Sequence, residues 1–133
     1  MNANVAAVQD IYACFGRGDI PGILAHVAAD ARWEHDAADH GIPWLKPGVG
    51  HDHVLKFFGE LAAVEISVFD VRNLLAGGDQ VAGVVWLEAT VKATGGQFKD
   101  FEVHLWTFNA EGKVSGVRHM VDTVSMWKAL HGK

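Results

Sequence analysis

The segment FEVHLWTFNAEGKVSGVRHMVD, residues 101–122, places Glu102, His104, Arg118, His119 and Asp122 inside runs that otherwise read as buried β-strand. Imidazole is the side chain that exchanges protons near neutral pH, so His104 and His119 are candidate acid/base groups. Glu102 stands two residues from His104. On a strand this puts both side chains on one face, where a carboxylate can orient an imidazole. His35, at the end of ARWEH (31–35), is a third histidine in an apolar context. Asp122 follows the last strand and is the remaining catalytic candidate. Trp33, Trp44, Phe57, Trp86 and Trp106 could hold a carbon skeleton against these groups.

Each residue also has a plainer explanation. A histidine between Val103 and Leu105 can be a core residue paired with a backbone or carboxylate partner. His119 could face solvent beside Arg118, and His35 could simply end a strand. Asp122 precedes TVSMWKAL, where an aspartate or threonine caps a helix. The tryptophans suit an ordinary core. Three histidines from three strands could form a His₃ metal set. Close His pairs are lacking, however, apart from His51 and His53 at a helix start, so no metal is expected. Phosphate-loop, dinucleotide and nucleophile-elbow motifs are absent.

The elements that position these groups can be read from periodicity. Val5, Val8, Ile11, Tyr12 and Phe15 follow helical spacing, which Gly16 and Gly18 end. Asp19 and Pro21 start a short second helix with Ile23, Leu24 and Val27. ARWEH reads as a strand with Ala31, Trp33 and His35 on one face, and the Gly/Pro-rich stretch 36–50 reads as a loop. A third helix near His51–Asp52 turns Val54, Leu55, Phe57, Phe58 and Leu61 inward. From Val64 the period becomes two. A phase slip near Val68 and Phe69 predicts a β-bulge. GGD (77–79), TGG (94–96) and NAEGK (109–113) then punctuate long strands at 80–94 and 97–108 and a last hairpin. Three helices, one early strand, a long antiparallel meander and a short final helix predict a single α+β domain over residues 1–133, a curved sheet closed on its helices as a cone.

Composition narrows the function. The net charge is −5 and no basic run occurs, which argues against nucleic acid and membrane surfaces as partners. The lone Cys14 cannot form an internal disulfide, and the N-terminal MNANVAAVQDIYACF lacks export character, so a cytoplasmic location is expected. Five Trp, seven Phe and eight His suit a lined cavity for a small hydrophobic ligand.

GD (18–19), AADARWEH (28–35) and NAEGKVSGVRHMVD (109–122), in this order and spacing, resemble the SnoaL-like polyketide cyclase and ketosteroid isomerase-like branch of the nuclear-transport-factor-2-like superfamily. The resemblance covers nearly the whole chain and implies the same cone. It places His104 where ketosteroid isomerases carry the oxyanion-hole acid and His35 where they carry the base. The isomerase tyrosine falls on Ile11, with Tyr12 next door, so the phenol is expected to be lost. Asp122 matches the late-strand aspartate of limonene-type epoxide hydrolases and SnoaL-like cyclases, but the Arg-x-Asp of the hydrolases is missing at Leu87–Val91. The superfamily also contains non-catalytic binding domains, so fold alone leaves the reaction open.

Opposing Phe108 to Lys113, the favoured register, pairs His104 with Val117 and Glu102 with His119, and gathers His35, His104 and His119 in the cavity; a turn one residue longer would instead put His104 beside Arg118 and Asp122. The expected function is a cofactor-independent acid/base enzyme of isomerase, cyclase, dehydratase or epoxide-hydrolase type. The alternative is a non-catalytic ligand-binding or accessory domain. Apolar residues on both faces of residues 80–94 predict a homodimer. A sedimentation mass of about 14 kDa, the mass of one chain, would contradict that expectation.

Overall fold

A computed structural model describes residues 2–35 and 40–133. The first helix, α1, spans Ala3–Arg17. Asn2 caps it by accepting from the Asn4 and Val5 backbone N–H groups at 2.8 and 3.3 Å. Gly18, in the left-handed conformation, ends it. Asp19 caps α2, Ile20–Leu24, through the Gly22 N–H at 2.9 Å. Strand β1 runs Val27–Glu34, longer than the expected 31–35, and His35 lies one residue beyond its end. The expected loop over 36–50 contains a turn of 3₁₀ helix, Pro43–Leu45, and strand β2, Gly48–Val49. Residues 36–39 of that loop lie outside the described residues. Helix α3, His51–Leu61, buries Val54 and Phe57. Leu55, expected inward, is 49% exposed, because the helix presents only one stripe to the sheet.

The meander follows: β3 Val64–Gly77, β4 Gln80–Val91, β5 Gln97–Phe108 and β6 Val114–Met120, closed by α4 Thr123–Leu130. These strands form one six-stranded sheet in the order β2-β1-β6-β5-β4-β3. All pairs are antiparallel except β1 with β6. That parallel pair puts the N-terminal strand beside the last one, bringing His35 close to the end of β6. The register of β3 slips twice, near Ser67 and near Arg72, so the phase slip read from sequence is a pair of bulges.

The last hairpin departs from the expected register. Phe108 opposes Val114, a bulge follows, and His104 then opposes His119 in place of Val117. The displacement is two positions. Side chains alternate with period two, so the face of every residue is preserved although the partner changes. His104 and His119 therefore still share the inner face, now as directly opposed neighbours. Gly112 turns the hairpin at φ 76°, with open space around the position a Cβ would take. Gly112→Val should therefore cost about 1–2 kcal/mol in backbone strain alone. A thermal melt unchanged from wild type would contradict this.

Alternation also settles Trp86. Val81, Gly83, Val85, Leu87 and Ala89 of β4 are buried, whereas Trp86 lies on the opposite face. There its ring packs edge-on against Phe101 at 4.8 Å and its indole N–H donates to Glu88. Inside the sheet the core divides in two. Val8, Ile11, Ile23, Trp33, Trp106 and Val117 belong to one cluster, and Trp44, Leu45, Leu87, Phe98 and Met126 to the other. A cavity separates them.

Candidate functional site

The cavity has a volume of about 70 Å³ and is walled by side chains from both clusters. A single water needs roughly 10–15 Å³ on the same measure, so this space admits more than isolated solvent. Its wall is almost wholly apolar, including Trp33, Trp44, Phe57 and Trp106, and its polar groups are Tyr12, Glu102, His104 and His119.

These polar groups form a directional chain. The indole N–H of Trp106 donates to Tyr12 Oη at 3.1 Å. Tyr12 Oη lies 2.8 Å from His104 Nδ1, and His104 Nε2 lies 3.0 Å from Glu102 Oε1. Indole nitrogen only donates and a carboxylate only accepts, which fixes both ends. In the tautomer with Nε2–H toward Glu102, Tyr12 accepts from Trp106 and sends its own proton to His104 Nδ1. Nδ1 is then the acceptor nitrogen, and Nε2–H donates to Glu102. Every donor has an acceptor when His104 is neutral in this tautomer.

The local sequence explains the assembly. Glu102, His104 and Trp106 alternate along β5, so all three face inward. Tyr12 reaches them from α1 across β4, where Gly83 lies directly opposite His104. A Cβ at Gly83 would overlap Tyr12 Oη, so this glycine is the notch that admits the hydroxyl. Burial, and then the charge of Glu102, raises the Tyr12 pKa above the usual phenol value, so the hydroxyl stays protonated.

The other two histidines sit behind this chain. The His119 ring meets His104 edge-on at 4.9 Å, and His35 stacks on His119 at 4.8 Å with planes 20° apart. His119 lines the cavity; His35 packs against its far side and against Phe57. Both His35 nitrogens and His119 Nδ1 are buried without hydrogen-bond partners among the described residues. Burial is the largest cause pushing His35 down to about 4, and it holds His119 well below the ordinary histidine value, with neighbouring imidazoles adding to it. Neither ring is charged at neutral pH.

This has a consequence for acid stability. In the unfolded chain these rings titrate near the ordinary 6.5, whereas folded His35 titrates near 4. Between those values the unfolded state binds more protons, so folding stability falls as pH drops from about 6.5 to about 4. His35 alone accounts for a loss on the order of 3 kcal/mol. Urea midpoints measured across that window should fall, and the His35→Phe variant should lose part of the dependence. A flat profile would contradict the burial of neutral imidazoles.

Asp122 is not part of this assembly. Its side chain caps α4, accepting from the Ser125 N–H at 3.1 Å and the Ser125 hydroxyl at 2.7 Å. Those bonds hold its carboxyl below the usual carboxylate range. Its backbone N–H in turn donates to Asp100 Oδ2 at 2.7 Å, and burial raises Asp100 to about 6. Nor does Trp86 reach the cavity, since it lies on the outer face. The structure thus brings together His104, His119, Glu102, Trp33, Trp44, Phe57 and Trp106, with His35 in the layer behind. It leaves out Asp122 and Trp86.

Tyr12 and Gly83 are the members that sequence reasoning missed. Tyr12 reads as one more apolar residue of α1, and the expected loss of the phenol is wrong, because Tyr12 supplies one to His104. Two signals were available. Tyr12 is the only tyrosine in the chain, and a glycine inside a long strand marks a close approach. Among the described residues no group of His, Cys, Asp or Glu is arranged to hold a metal ion, and His35 and His119 stack instead of converging. No described helix is long and apolar enough to cross a membrane.

Known structures share this architecture. An NTF2-like protein from Burkholderia xenovorans LB400 is 30% identical, with a TM-score of 0.84 over 96% of this chain and 95% of that one. An NTF2-like protein from Burkholderia pseudomallei K96243 is 25% identical, with a TM-score of 0.85 over 97% and 98%. TerC, crystallised with polyporic acid, is 23% identical with a TM-score of 0.81 over 98% and 99%, a likeness of fold. A search of curated proteins returned no match. The family model of the SnoaL-like domain matches residues 8–117, most of the chain and every element from α1 into β6, and the chain belongs to that family.

Proposed function

We propose that this protein is an acid/base enzyme that moves a proton on a small, largely apolar, oxygenated molecule held in the cavity. The observation that carries this reading is the Trp106–Tyr12–His104–Glu102 chain set into an otherwise apolar wall. Apolar walls bind a carbon skeleton, and a lone polar chain acts on its one functional group.

In the structure both His104 nitrogens are engaged, so the chain must open first. A ligand carbonyl that accepts from Tyr12 Oη–H takes the place of His104 Nδ1 as acceptor. The lone pair of Nδ1 is then free to take a proton from the carbon beside that carbonyl. Glu102 holds the ring by its Nε2–H and stabilises the imidazolium that forms, the role a carboxylate plays behind a histidine base. Tyr12 O–H stabilises the enolate oxygen. Return of the proton to another carbon is an isomerisation; its delivery from the imidazolium to a β-hydroxyl, which leaves as water as the enolate collapses, is a dehydration. The polyporic acid in the TerC crystals supports an oxygenated ligand in this type of fold.

The test is deuterium exchange at the α-carbons of small cyclic ketones in D₂O, followed by NMR. Exchange above the buffer rate that disappears in Tyr12→Phe supports the reading. Equal rates with both proteins sink it in favour of a non-catalytic ligand-binding domain. One observation favours that second reading, namely that both His104 nitrogens already have partners within the protein.

The outer sheet face supports a homodimer. Phe101 is 55% exposed there and packs on the half-buried Trp86, with the Arg72 guanidinium over its ring at 5.6 Å. Cys14 is buried as a free thiol, which supports a reducing compartment such as the cytoplasm.

A further inference from the structure

We infer that the ligand of this cavity carries a positively charged nitrogen, recognised by Glu102 and the aromatic wall. The inference rests on the cavity being the ligand site and adds a charge to the ligand class proposed above. It follows from the charge state of the hydrogen-bond chain. With Tyr12 donating to His104 Nδ1 and Nε2–H donating to Glu102, the ring brings no charge to offset the buried Glu102 carboxylate, whose hydrogen-bond partner among the described residues it is. Glu102 is only 6% exposed. His119 and His35 are uncharged, and no lysine or arginine lines the cavity among the described residues. A buried carboxylate with no cation is costly, and a ligand that supplies the cation relieves that cost.

Two further observations agree. Among the described residues the hydrogen bond to Glu102 engages Oε1, so Oε2 remains for an ammonium donor. Much of the rest of the wall is aromatic, including Trp33, Trp44, Trp106, Phe57, Phe58 and Phe69. Rings accept a cation over their faces, whereas a carboxylate or phosphate ligand would find in Glu102 only repulsion. The net charge of −5 acts in the same sense on encounter.

Benzylamine, benzyl alcohol and benzoate test this, since they share a ring and differ in charge. Binding is followed at pH 7 through the fluorescence of the cavity tryptophans and by calorimetry. Benzylamine is expected to bind at least tenfold more tightly than benzyl alcohol, with benzoate the weakest. Glu102→Gln keeps an acceptor for His104 Nε2–H and should abolish the preference for the amine while still binding the alcohol. Because the wild-type comparison alone reads the preference, the test does not depend on how well the variant folds. Equal or tighter binding of benzyl alcohol, or no binding of any probe, overturns the inference. A reversed preference leaves the proton-transfer reading standing, since that reading falls only with the ketone exchange experiment.

Discussion

Tyr12→Phe should lower turnover by about 10²–10³-fold on any substrate the protein acts upon. The hydroxyl is the donor that meets the ligand oxygen, and removing one such donor typically costs that much in rate. The same change leaves Trp106 Nε1–H and His104 Nδ1 without their partner. Stability should fall by about 1–3 kcal/mol, the usual cost of stranding buried polar groups. The rate loss exceeds that cost, so comparison of kcat with the melting temperature separates chemistry from folding. His104→Ala is a poorer probe. His104 is only 5% exposed and is packed by Tyr12, Phe69, Trp106 and His119, so its removal opens a hole and orphans Glu102.

Gly83→Ala is expected to destabilise the protein by about 1–3 kcal/mol and to reduce turnover nearly as far as loss of the hydroxyl itself. The new methyl overlaps Tyr12 Oη and lies 3.1 Å from its Cζ, so the phenol must leave His104. The informative variant is the double one. In Tyr12→Phe the oxygen struck by the methyl is gone, so Gly83→Ala should cost much less there than in wild type. Chemical denaturation of the four proteins gives the coupling energy. Additive costs would mean that Gly83 is not the seat of the Tyr12 hydroxyl.

Most of the fold was legible because it rests on periodicity and punctuation. The change from helical to two-residue spacing at Val64 and the left-handed Gly112 marked the meander and its last turn, and both lie where expected. The pairing within that turn was not legible. The turn brings Phe108 opposite Val114, one place beyond Lys113, and a bulge adds one more residue to β6, neither with any compositional mark; together they moved His104 from Val117 to His119. The face of His104 survived because the shift was even. Trp86 could have been placed from sequence, since it alternates with Val85 and Leu87, both buried. Asp122 illustrates a different limit: one residue type serves both as a helix cap and as a catalytic acid, and only the Ser125 contacts reveal the cap. Tyr12 was hidden because a phenol on an apolar helix face looks like core until its hydroxyl has a partner.

The central claim is that His104 is neutral, with its proton on Nε2 facing Glu102 and its lone pair on Nδ1 facing Tyr12. Nitrogen NMR of the ¹⁵N-histidine-labelled protein near pH 7 reads this directly. The claim predicts a pyridine-type Nδ1 and a pyrrole-type Nε2 for His104, with Tyr12→Phe moving the Nδ1 signal far more than the Nε2 signal. A protonated Nδ1 in the ligand-free wild type would contradict it, because Tyr12 would then not be donating to His104 and the base required for proton abstraction would already be occupied.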